Sequence, residues 1–389
     1  MRVLFISGEY PPMQGGVGDY TWALGTALSG LGVEVHVLSS MESGPAHLVP
    51  RGVADVYPEI ESWGWSLSGE TRRLVQEIEP DVVHIQYQSA AYGLHPAINL
   101  LPRRIHGTSS PPQVAVTFHD LRVPYLFPKA GPLRWRANME LARNSDLVVV
   151  TNAEDRLRLE QQADLLDRLY EIPIGANIQP EPPASFDREQ QRAKWDVAQD
   201  DLLLCYFGFL NVSKGGEELV GALKHLVADG VPAQLLMIGG QVGSSDPTNL
   251  AYLERVEKLI SDEGLAERVH WTGFVAAEEV SASFLASDIA MLPYRDGASF
   301  RRGSLMAALV HELSIVSTEP AVPVAEMVQG ENIWLVPPQD SQALARAAEH
   351  LWNDPELRQR LSVGANRLAG QFTWDAIARR HLEVYRELF

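Results

Sequence analysis

The chain alternates between short apolar runs and longer stretches with helical spacing of apolar residues, and this alternation occurs twice. In the first half the apolar runs are RVLFIS (2–7), VEVHVLSS (33–40), DVVHIQYQ (81–88), VAVTFHD (114–120), SDLVVVTN (145–152) and LYEIPIGANI (169–178). Nearly continuous apolar runs are typical of parallel strands that are covered on both faces. Helical patterns lie between them, at 20–31, 74–78 and 135–143. The first half therefore predicts a doubly wound α/β domain.

A proline-rich polar passage, QPEPPA (179–184), interrupts this pattern in the manner of an exposed linker. A second series of apolar runs follows: DLLLCYFGFL (201–210), AQLLMIGG (233–240), RVHWTGFV (268–275), DIAMLP (288–293), SIVS (314–317) and ENIWLVPP (331–338). Helical patterns occupy 217–226, 250–262, 304–310, 341–352 and 374–388. We predict two Rossmann-like, doubly wound parallel-sheet domains, residues 1–180 and 181–371, and a terminal helical segment, 372–389.

The composition narrows the class of protein. The chain has 389 residues, is 46% hydrophobic and carries a formal net charge of −18, which argues against nucleic acid as a partner. Its single cysteine, Cys205, lies in an apolar run and cannot form an intramolecular disulfide. The first residues form a strand pattern rather than a signal peptide, and no apolar stretch reaches the roughly 18 residues of a transmembrane helix. We expect a cytoplasmic protein.

Unusual residues follow the predicted strands. They are Gly15 and Gly16, His119, Lys214 and Gly215, Gly239 and Gly240, and the segment 296–303. Ligands of open α/β sheets bind outside the carboxyl ends of the strands, so we expect these residues to face one cleft between the two domains. The sequence contains no metal-ligand spacing of His, Cys and acidic residues, no GxxxxGK[ST] phosphate loop and no GxSxG motif.

The stretch 295–318, RDGASFRRGSLMAALVHELSIVST, is the most informative of these segments. It leads from a predicted strand through a polar loop into a helix that begins near Ser304, and then into the next strand. A helix N-terminus offers free backbone N–H groups to an anion, and Gly297 and Gly303 allow close approach of backbone. Arg301 and Arg302 add two cations. An ordinary crossover with a solvated basic loop is the alternative.

The ordered motifs of the chain resemble the family-four retaining glycosyltransferases of the GT-B architecture. The matching pieces are EYPPMQGGVGDYTWALGTALSGLGVEVHVL, DVVHIQYQ, VTFHD, IPIGANI, GFLNVSKGGEEL, HWTGFV, ASDIAMLP, AEMVQGENIWLVPPQD and FTWDAIARRHLEVY. The resemblance covers nearly the whole chain. It implies transfer of a sugar from a nucleoside diphosphate donor with retention of anomeric configuration, without a metal or other cofactor. It also implies that the terminal helix packs back on the N-terminal, acceptor-side domain.

The resemblance assigns roles to individual residues. Gly15 and Gly16 match a glycine loop that lies against the donor diphosphate, where a side chain would hold the backbone N–H groups away from phosphate. His119 matches a histidine that contacts the transferred sugar as a neutral imidazole. Lys214 matches a lysine that neutralises the leaving diphosphate. A structural role is the alternative for each of them.

Other residues are assigned to the donor nucleotide. The segment Thr272, Gly273, Phe274 and Val275 matches the part of the family that meets the nucleobase, through backbone groups. Gly239, at the end of a predicted strand, is a further donor-binding candidate. Glu326 matches the glutamate of the family's GxxxEhV pattern, and a solvated surface role is the alternative for this residue.

The chain departs from the family in its donor-binding box. The family's diphosphate-binding arginine is Phe209 here, and its two glutamates fall on Ser299 and Ala307. Arg301 and Arg302 are therefore candidates to restore the lost phosphate charge. Since Ala307 cannot accept a hydrogen bond from a ribose hydroxyl, we expect a deoxythymidine diphosphate donor to be tolerated or preferred.

Several functional alternatives stay open at this point. Asp296, Gly303 and Ser304 are the remaining candidates to bind the donor sugar. An enzyme that uses an anionic sugar donor, or a non-catalytic nucleotide-sugar-binding partner, are alternatives to a glycosyltransferase with a non-standard donor. Residues 103–143 contain seven basic and two acidic residues, which suggests an anionic acceptor or peripheral contact with an anionic membrane. The sequence leaves the sugar, the base, the acceptor and the oligomeric state undetermined.

Overall fold

A computed structural model describes residues 1–13, 15–43, 55–121, 131–240 and 247–389. The chain divides into two compact units. Unit 1 comprises Met1–Gly175 together with Thr373–Phe389, and unit 2 comprises Ala176–Phe372. Each unit contains one parallel sheet with helices, so the predicted pair of parallel-sheet domains is confirmed.

Unit 1 contains a seven-stranded parallel sheet. Its strands are β1 (Arg2–Ser7), β2 (Glu34–Ser40), β3 (Asp55–Ile60), β4 (Val82–Tyr87), β5 (Gln113–Phe118), β6 (Leu147–Val150) and β7 (Leu169–Glu171). The spatial order is β3-β2-β1-β4-β5-β6-β7. Five of the six residues of β1 and all residues of β4 are buried, which explains why these strands read as continuous apolar runs.

The helices of unit 1 cover this sheet. They are α1 (Gly16–Gly30), α2 (Leu67–Ile78), α3 (Leu101–His106), α4 (Gly131–Arg143) and α5 (Ala153–Glu160), with short 3-10 turns at Met41–Ser43, Ser89–Tyr92, Ile98–Leu100 and Ala163–Arg168. Asn152 caps α5 by accepting a hydrogen bond from the backbone N–H of Asp155.

Unit 2 contains a six-stranded parallel sheet. Its strands are β8 (Leu202–Phe207), β9 (Ala233–Ile238), β10 (Val269–Trp271), β11 (Ile289–Leu292), β12 (Ser314–Thr318) and β13 (Trp334–Val336), in the order β10-β9-β8-β11-β12-β13. Its helices are α6 (Arg188–Ala193), α7 (Gly216–Ala228), α8 (Pro247–Asp262), α9 (Ala277–Ala286), α10 (Gly303–Val310), α11 (Ser341–Asn353) and α12 (Pro355–Ala369). Further 3-10 turns are Val212–Lys214, Ala266–Arg268 and Gly370–Phe372.

The last helix, α13 (Trp374–Arg386), belongs to unit 1. Its Tyr385 is fully buried and hydrogen-bonds His84, whose other ring nitrogen lies 2.8 Å from Thr117 Oγ1. A Cβ atom on Gly175 would lie 2.6 Å from the ring of Trp374, the first residue of α13. Any other residue at position 175 would therefore collide with this helix. The polar groups of a buried histidine and tyrosine are thus satisfied within unit 1.

Some elements were not predicted. Strand β3 (DVYPEI) has only one fully buried residue and contains a proline, both of which are typical of an edge strand rather than of a buried run. Helix α12 was also missed. The predicted strand patterns at 169–178 and 331–338 shorten to three residues each, because only Leu169–Glu171 and Trp334–Val336 pair with a neighbouring strand. In the part of the chain that the structure describes, no helix is long and apolar enough to cross a membrane.

A buried arginine joins α6 to the sheet of unit 2. Arg192 is 1% exposed and donates hydrogen bonds to the backbone oxygens of Ala286, Ala198 and Asp201. Its Nη1 lies 3.1 Å from Asp288 Oδ2, and the more exposed Arg188 lies 2.6 Å from the other carboxylate oxygen. The same carboxylate therefore pairs with one buried and one exposed arginine.

We expect Arg192→Met to lower the free energy of unfolding of unit 2 by about 3–5 kcal/mol, because it removes the buried cation from Asp288 Oδ2 and leaves three carbonyl groups without their donor. Arg188→Met is the matched control and should cost about 1 kcal/mol or less. Urea unfolding of both variants measures the difference. An equal loss of unfolding free energy in the two variants would show that the burial of Arg192 does not determine how much it stabilises unit 2.

Candidate functional site

A cluster of charged side chains surrounds the ring of Tyr294, just after β11. Tyr294 is fully buried, and its hydroxyl lies 2.6 Å from Ser304 Oγ in the first turn of α10. Lys214 Nζ lies 5.3 Å from the centre of the ring, and the guanidinium carbon of Arg302 lies 4.9 Å from it. Both distances are within the range of cation–π contacts. One aromatic ring therefore holds two cations close to each other.

Among the residues that the structure describes, the carboxylate of Asp296 pairs with both arginines of this cluster. Asp296 Oδ2 lies 3.2 Å from Arg301 Nη2, and Asp296 Oδ1 accepts a hydrogen bond from Arg302 Nη2. Both arginine side chains are 12% exposed. Within the described residues, the buried Nε of Arg302 has no hydrogen-bond partner. Three basic side chains thus lie around one acidic side chain in a largely buried place, which favours binding of an anion.

The electrostatics of Lys214 reflect this imbalance. The pKa of Lys214 is lowered to about 7, first by burial and then by the charge of Arg302, with Arg301 adding to the effect and Asp296 opposing it. A bound anion would raise the pKa of Lys214 and so favour the charged form of the lysine.

Glycines and ion pairs fix the loop that carries the cluster. Gly215 has a φ of +72°, and a Cβ atom on it would lie 1.9 Å from the backbone oxygen of Pro293. Gly297 has a φ of +86°, and a Cβ atom there would lie 2.6 Å from the backbone oxygen of Glu319. Arg295 lies 2.8 Å from Glu218 and 2.5 Å from Glu217, both in the first turn of α7. Positions 215 and 297 therefore require glycine, because each combines a left-handed backbone conformation with a contact too close for a Cβ atom.

The predicted nucleobase segment follows β10 in the same unit. Thr272 Oγ1 accepts a hydrogen bond from the backbone N–H of Gly239 (2.9 Å) and donates one to the backbone oxygen of Gly273 (2.8 Å). The hydroxyl of Thr272 therefore accepts a hydrogen bond from one backbone group and donates one to another. Phe274 is 80% exposed, and Val275 after it is half-buried. Phe209, which stands where the family has an arginine, is 48% exposed and lies beside Gly240.

The other candidates of unit 2 differ in their surroundings. Ser299 Oγ lies 3.5 Å from the backbone N–H of Arg301, at the long limit of a hydrogen bond, and Gly303 is the first residue of α10. Ala307 is fully buried in α10. Glu326 is exposed, and its backbone oxygen accepts a hydrogen bond from Asn332. The structure therefore groups Asp296, Arg301, Arg302 and Ser304 with Lys214, and Glu326 is not among the contacts of that cluster in the described part of the chain.

His119 lies after β5 in unit 1. Its Nε2 is 3.0 Å from Gln86 Oε1, and its ring meets Tyr20 edge-on, with 4.6 Å between the ring centres. Burial, followed by the charge of His381, lowers the pKa of His119 to about 3. The imidazole is therefore neutral at neutral pH.

The glycine loop at the start of α1 contacts a carboxylate of the chain itself. A Cβ atom on Gly15 would lie 2.0 Å from Glu9 Oε2, whereas one on Gly16 would meet nothing within 4 Å. The pKa of Glu9 is raised by burial and then by Asp19, while the nearby backbone N–H groups of Gly18 and Val17 act to lower it. Sequence reasoning missed Glu9, although it stands directly before the loop. The role of the loop toward a diphosphate stays a prediction.

Three basic residues of 103–143, Arg103, Arg104 and Arg143, have partners within unit 1. Arg103 lies 2.7 Å from Glu140, and Arg143 lies 2.8 Å from Asp164. Arg104 stacks on Trp65 at 5.4 Å. Arg122 and Lys129 lie outside the described residues, and the anionic acceptor or membrane stays a hypothesis. Among the residues that the structure describes, no group of three or more His, Cys, Asp or Glu side chains is arranged to hold a metal ion.

Two family models match the chain. Residues 187–367 match the model of the glycosyl transferases group 1, and residues 15–166 match that of the glycosyl transferase 4-like domain. The chain is 28% identical over 251 residues to the D-inositol 3-phosphate glycosyltransferase of Corynebacterium diphtheriae, an alignment that covers 63% of this chain and 57% of that protein. The alignments with this and two similar relatives thus span only about half of the length of those proteins (52–57%).

Solved structures resemble the fold over the whole chain. A sucrose-phosphate synthase of Thermosynechococcus elongatus has a TM-score of 0.76 at 21% identity and covers 100% of this chain and 99% of that one. The Anabaena protein HepE, solved in complex with UDP, has a TM-score of 0.76 at 18% identity and covers 100% of both chains. At such identities the similarity describes the fold alone.

Gly215→Ala should destabilise unit 2 more strongly than Gly230→Ala. Both glycines have a positive φ, so alanine costs about 1–2 kcal/mol of backbone strain at either position. A Cβ atom on Gly230 meets nothing within 4 Å, whereas one on Gly215 collides with Pro293. Denaturant unfolding should therefore show a larger loss for Gly215→Ala. Equal stability of the two variants would mean that the contact with Pro293 does not hold the loop.

Proposed function

Because the chain belongs to the group 1 glycosyl transferases and has their GT-B architecture, we propose that it transfers a sugar from a nucleoside diphosphate donor to an acceptor. Retention of the anomeric configuration, independence of metal ions and a cytoplasmic location are part of this proposal. The observation that carries it is the cluster of Lys214, Arg301 and Arg302 around Tyr294 in unit 2. HepE, which has the same fold, was solved with UDP.

The cluster suits the leaving group of this reaction. When the bond between the sugar and the diphosphate breaks, negative charge develops on the departing phosphate oxygen. Preorganised cations that face this charge lower the barrier, and they act most strongly where water is excluded. Lys214 and Arg302, both held at the Tyr294 ring, can stabilise that charge without a metal ion. The single cysteine, Cys205, is buried and free, in keeping with a reducing compartment.

His119 is proposed to contact the transferred sugar. With Gln86 Oε1 as its partner, Nε2 carries the proton and Nδ1 is an acceptor for a sugar hydroxyl. The lowered pKa keeps the ring neutral, so it provides this acceptor over the whole physiological pH range. The imidazole would then orient the transferred sugar.

The donor sugar is held differently from the family pattern. Asp296 pairs with both arginines, and the hydroxyl of Ser304 bonds to Tyr294, so both polar groups are partly used by the protein. Phe209 stands where the family has a diphosphate-binding arginine, so that positive charge is missing here. We propose that Arg301 and Arg302 supply it. In this proposal the arginines that bind the diphosphate lie in the loop before α10, whereas the family's arginine lies in the loop after β8.

Lys214→Ala should weaken binding of uridine diphosphate by about 1.5–3 kcal/mol, the range for a charge-assisted contact. Uridine monophosphate should lose much less, because it lacks the terminal phosphate. Lys224→Ala, which removes a surface lysine paired with Glu263 in the same unit, is the matched control and should change neither affinity. Calorimetric titration measures the affinity of each of the two variants for each of the two nucleotides. Equal weakening of both nucleotides by Lys214→Ala would remove the lysine from the diphosphate site.

The replacement of the second family glutamate by Ala307 predicts weak discrimination of the ribose. Deoxythymidine diphosphate should bind within about tenfold, or 1.4 kcal/mol, of 5-methyluridine diphosphate, which differs only in the 2′-hydroxyl. Calorimetry with the wild-type protein makes the comparison. Ala307 is fully buried, so Ala307→Glu would bury a carboxylate and destabilise α10, and the ligand pair is the cleaner test. A ribonucleotide preference above tenfold would end this hypothesis.

A further inference from the structure

Two buried phenylalanine rings meet beside the arginines of the candidate site. Phe300 directly precedes Arg301 and Arg302 in the loop before α10. The centre of its ring lies 4.5 Å from that of Phe372, and the two ring planes meet at 45°. Phe300 is 7% exposed and Phe372 is 3% exposed. The segment that carries the two arginines is therefore anchored by a buried aromatic side chain.

We propose that Phe372 is a positioning residue for the diphosphate site and that it holds Arg301 and Arg302 in place through the ring of Phe300. The inference rests on the proposed function. It adds to that site a residue from a distant part of the chain, whose side chain has no charge and no polar group of its own.

A hydrogen-bonded turn contains Phe300. The backbone N–H of Arg302 donates to the backbone oxygen of Ser299 at 3.0 Å. Phe300 and Arg301 are therefore the two central residues of a β-turn. The hydrogen bond across the turn fixes its shape. The contact between Phe300 and Phe372 fixes the orientation of the turn toward the rest of unit 2, because a buried ring cannot move into water without losing its apolar contacts.

The segment that carries Phe372 also supports the helix that follows the arginines. Phe372 ends the 3-10 turn Gly370–Phe372, which directly follows α12. Helix α12 packs against α10, and Arg302 is the N-cap residue of α10. One continuous stretch of chain therefore supports both the helix that begins after Arg302 and the turn that leads to it.

The contacts of the two guanidinium groups depend on where the backbone of this turn lies. Arg301 Nη2 lies 3.2 Å from Asp296 Oδ2, and the guanidinium carbon of Arg302 lies 4.9 Å from the centre of the Tyr294 ring. Hydrogen bonds weaken steeply outside their normal distances and angles. A shift of the backbone at Phe300 would therefore move both cations away from the place where a diphosphate contacts them.

Substitution by leucine removes one ring and breaks the contact between the rings, while an apolar side chain stays at the position. Calorimetric titration of the full chain with uridine diphosphate measures the effect on the site. We expect Phe300→Leu and Phe372→Leu each to bind uridine diphosphate about fivefold more weakly than the wild-type protein, because each loses one aromatic pair. Melting temperatures show whether each variant is folded at the assay temperature.

Two other variants are matched controls. Phe284→Leu changes a fully buried phenylalanine of α9, whose ring centre lies 5.3 Å from that of Phe207 in the same unit. Thr373→Ala removes the side chain that caps α13 directly after Phe372, so it tests whether the effect arises from the terminal helix. Both controls should leave the affinity for uridine diphosphate within about twofold of the wild-type value.

The double variant Phe300→Leu/Phe372→Leu tests whether the two rings act through one contact. Each single change already breaks that contact. The double variant should therefore bind uridine diphosphate within about twofold of the weaker single variant. Independent effects of the two residues would instead multiply to a loss of about 25-fold.

Proton uptake is a second readout, which a purely structural role of the rings would not change. The charge of Arg302 lowers the pKa of Lys214 in the free protein. Displacing Arg302 would raise this pKa, so more of Lys214 would already be charged at pH 8 before uridine diphosphate binds. Both phenylalanine variants should therefore take up fewer protons on binding than the wild-type protein does.

Wild-type affinity in both single variants, an equal loss in either control, or multiplied losses in the double variant would overturn the inference. Unchanged proton uptake in the phenylalanine variants would overturn it as well. The wild-type titration separates the inference from the function. If uridine diphosphate does not bind to the wild-type protein, the proposed function fails and the inference fails with it. If it binds equally well to the wild-type protein and to the phenylalanine variants, only the inference fails.

Discussion

The candidate site in unit 2 depends on one electrostatic arrangement, in which Lys214 and Arg302 both lie against the buried ring of Tyr294. The two cations lie 5.3 and 4.9 Å from the ring of Tyr294, and Asp296 pairs with Arg302 and with the neighbouring Arg301. The pKa of Lys214 is lowered first by burial and then by the charge of Arg302. Clustered cations with a perturbed pKa are typical of functional sites, and this is the ground on which a diphosphate is proposed as the ligand.

The surrounding structure keeps this arrangement from relaxing. Gly215 and Gly297 allow backbone contacts that no other residue permits, and Arg295 ties the loop to the first turn of α7. The fully buried ring of Tyr294 is fixed by its hydrogen bond to Ser304. These contacts fix the path of the loop that carries Arg301 and Arg302. In the proposed function, these preorganised charges take the place of the glutamates that the family has in the same box.

Much of the fold could be predicted from sequence because buried parallel strands leave a strong signal. The runs at 2–7, 81–88 and 201–210 are apolar throughout, since both faces of their sheets are covered. Strand β3 left no such signal because an edge strand is half-exposed and tolerates proline. For the site, the sequence indicated the residues that follow each strand. The contact of Gly15 with Glu9 and the shared ring of Tyr294 could not be predicted, because they depend on the path of loops.

Proton uptake on binding of uridine diphosphate tests the central claim most directly. At pH 8 Lys214 is mostly neutral, since its pKa in the free protein is about 7. A diphosphate beside it favours the charged form and raises this pKa, so binding must take up a proton from the buffer. Calorimetry at pH 8 in buffers of different ionisation enthalpy should therefore give an uptake approaching one proton, which Lys214→Met abolishes. Binding of uridine diphosphate with no proton uptake in the wild-type protein would contradict the account.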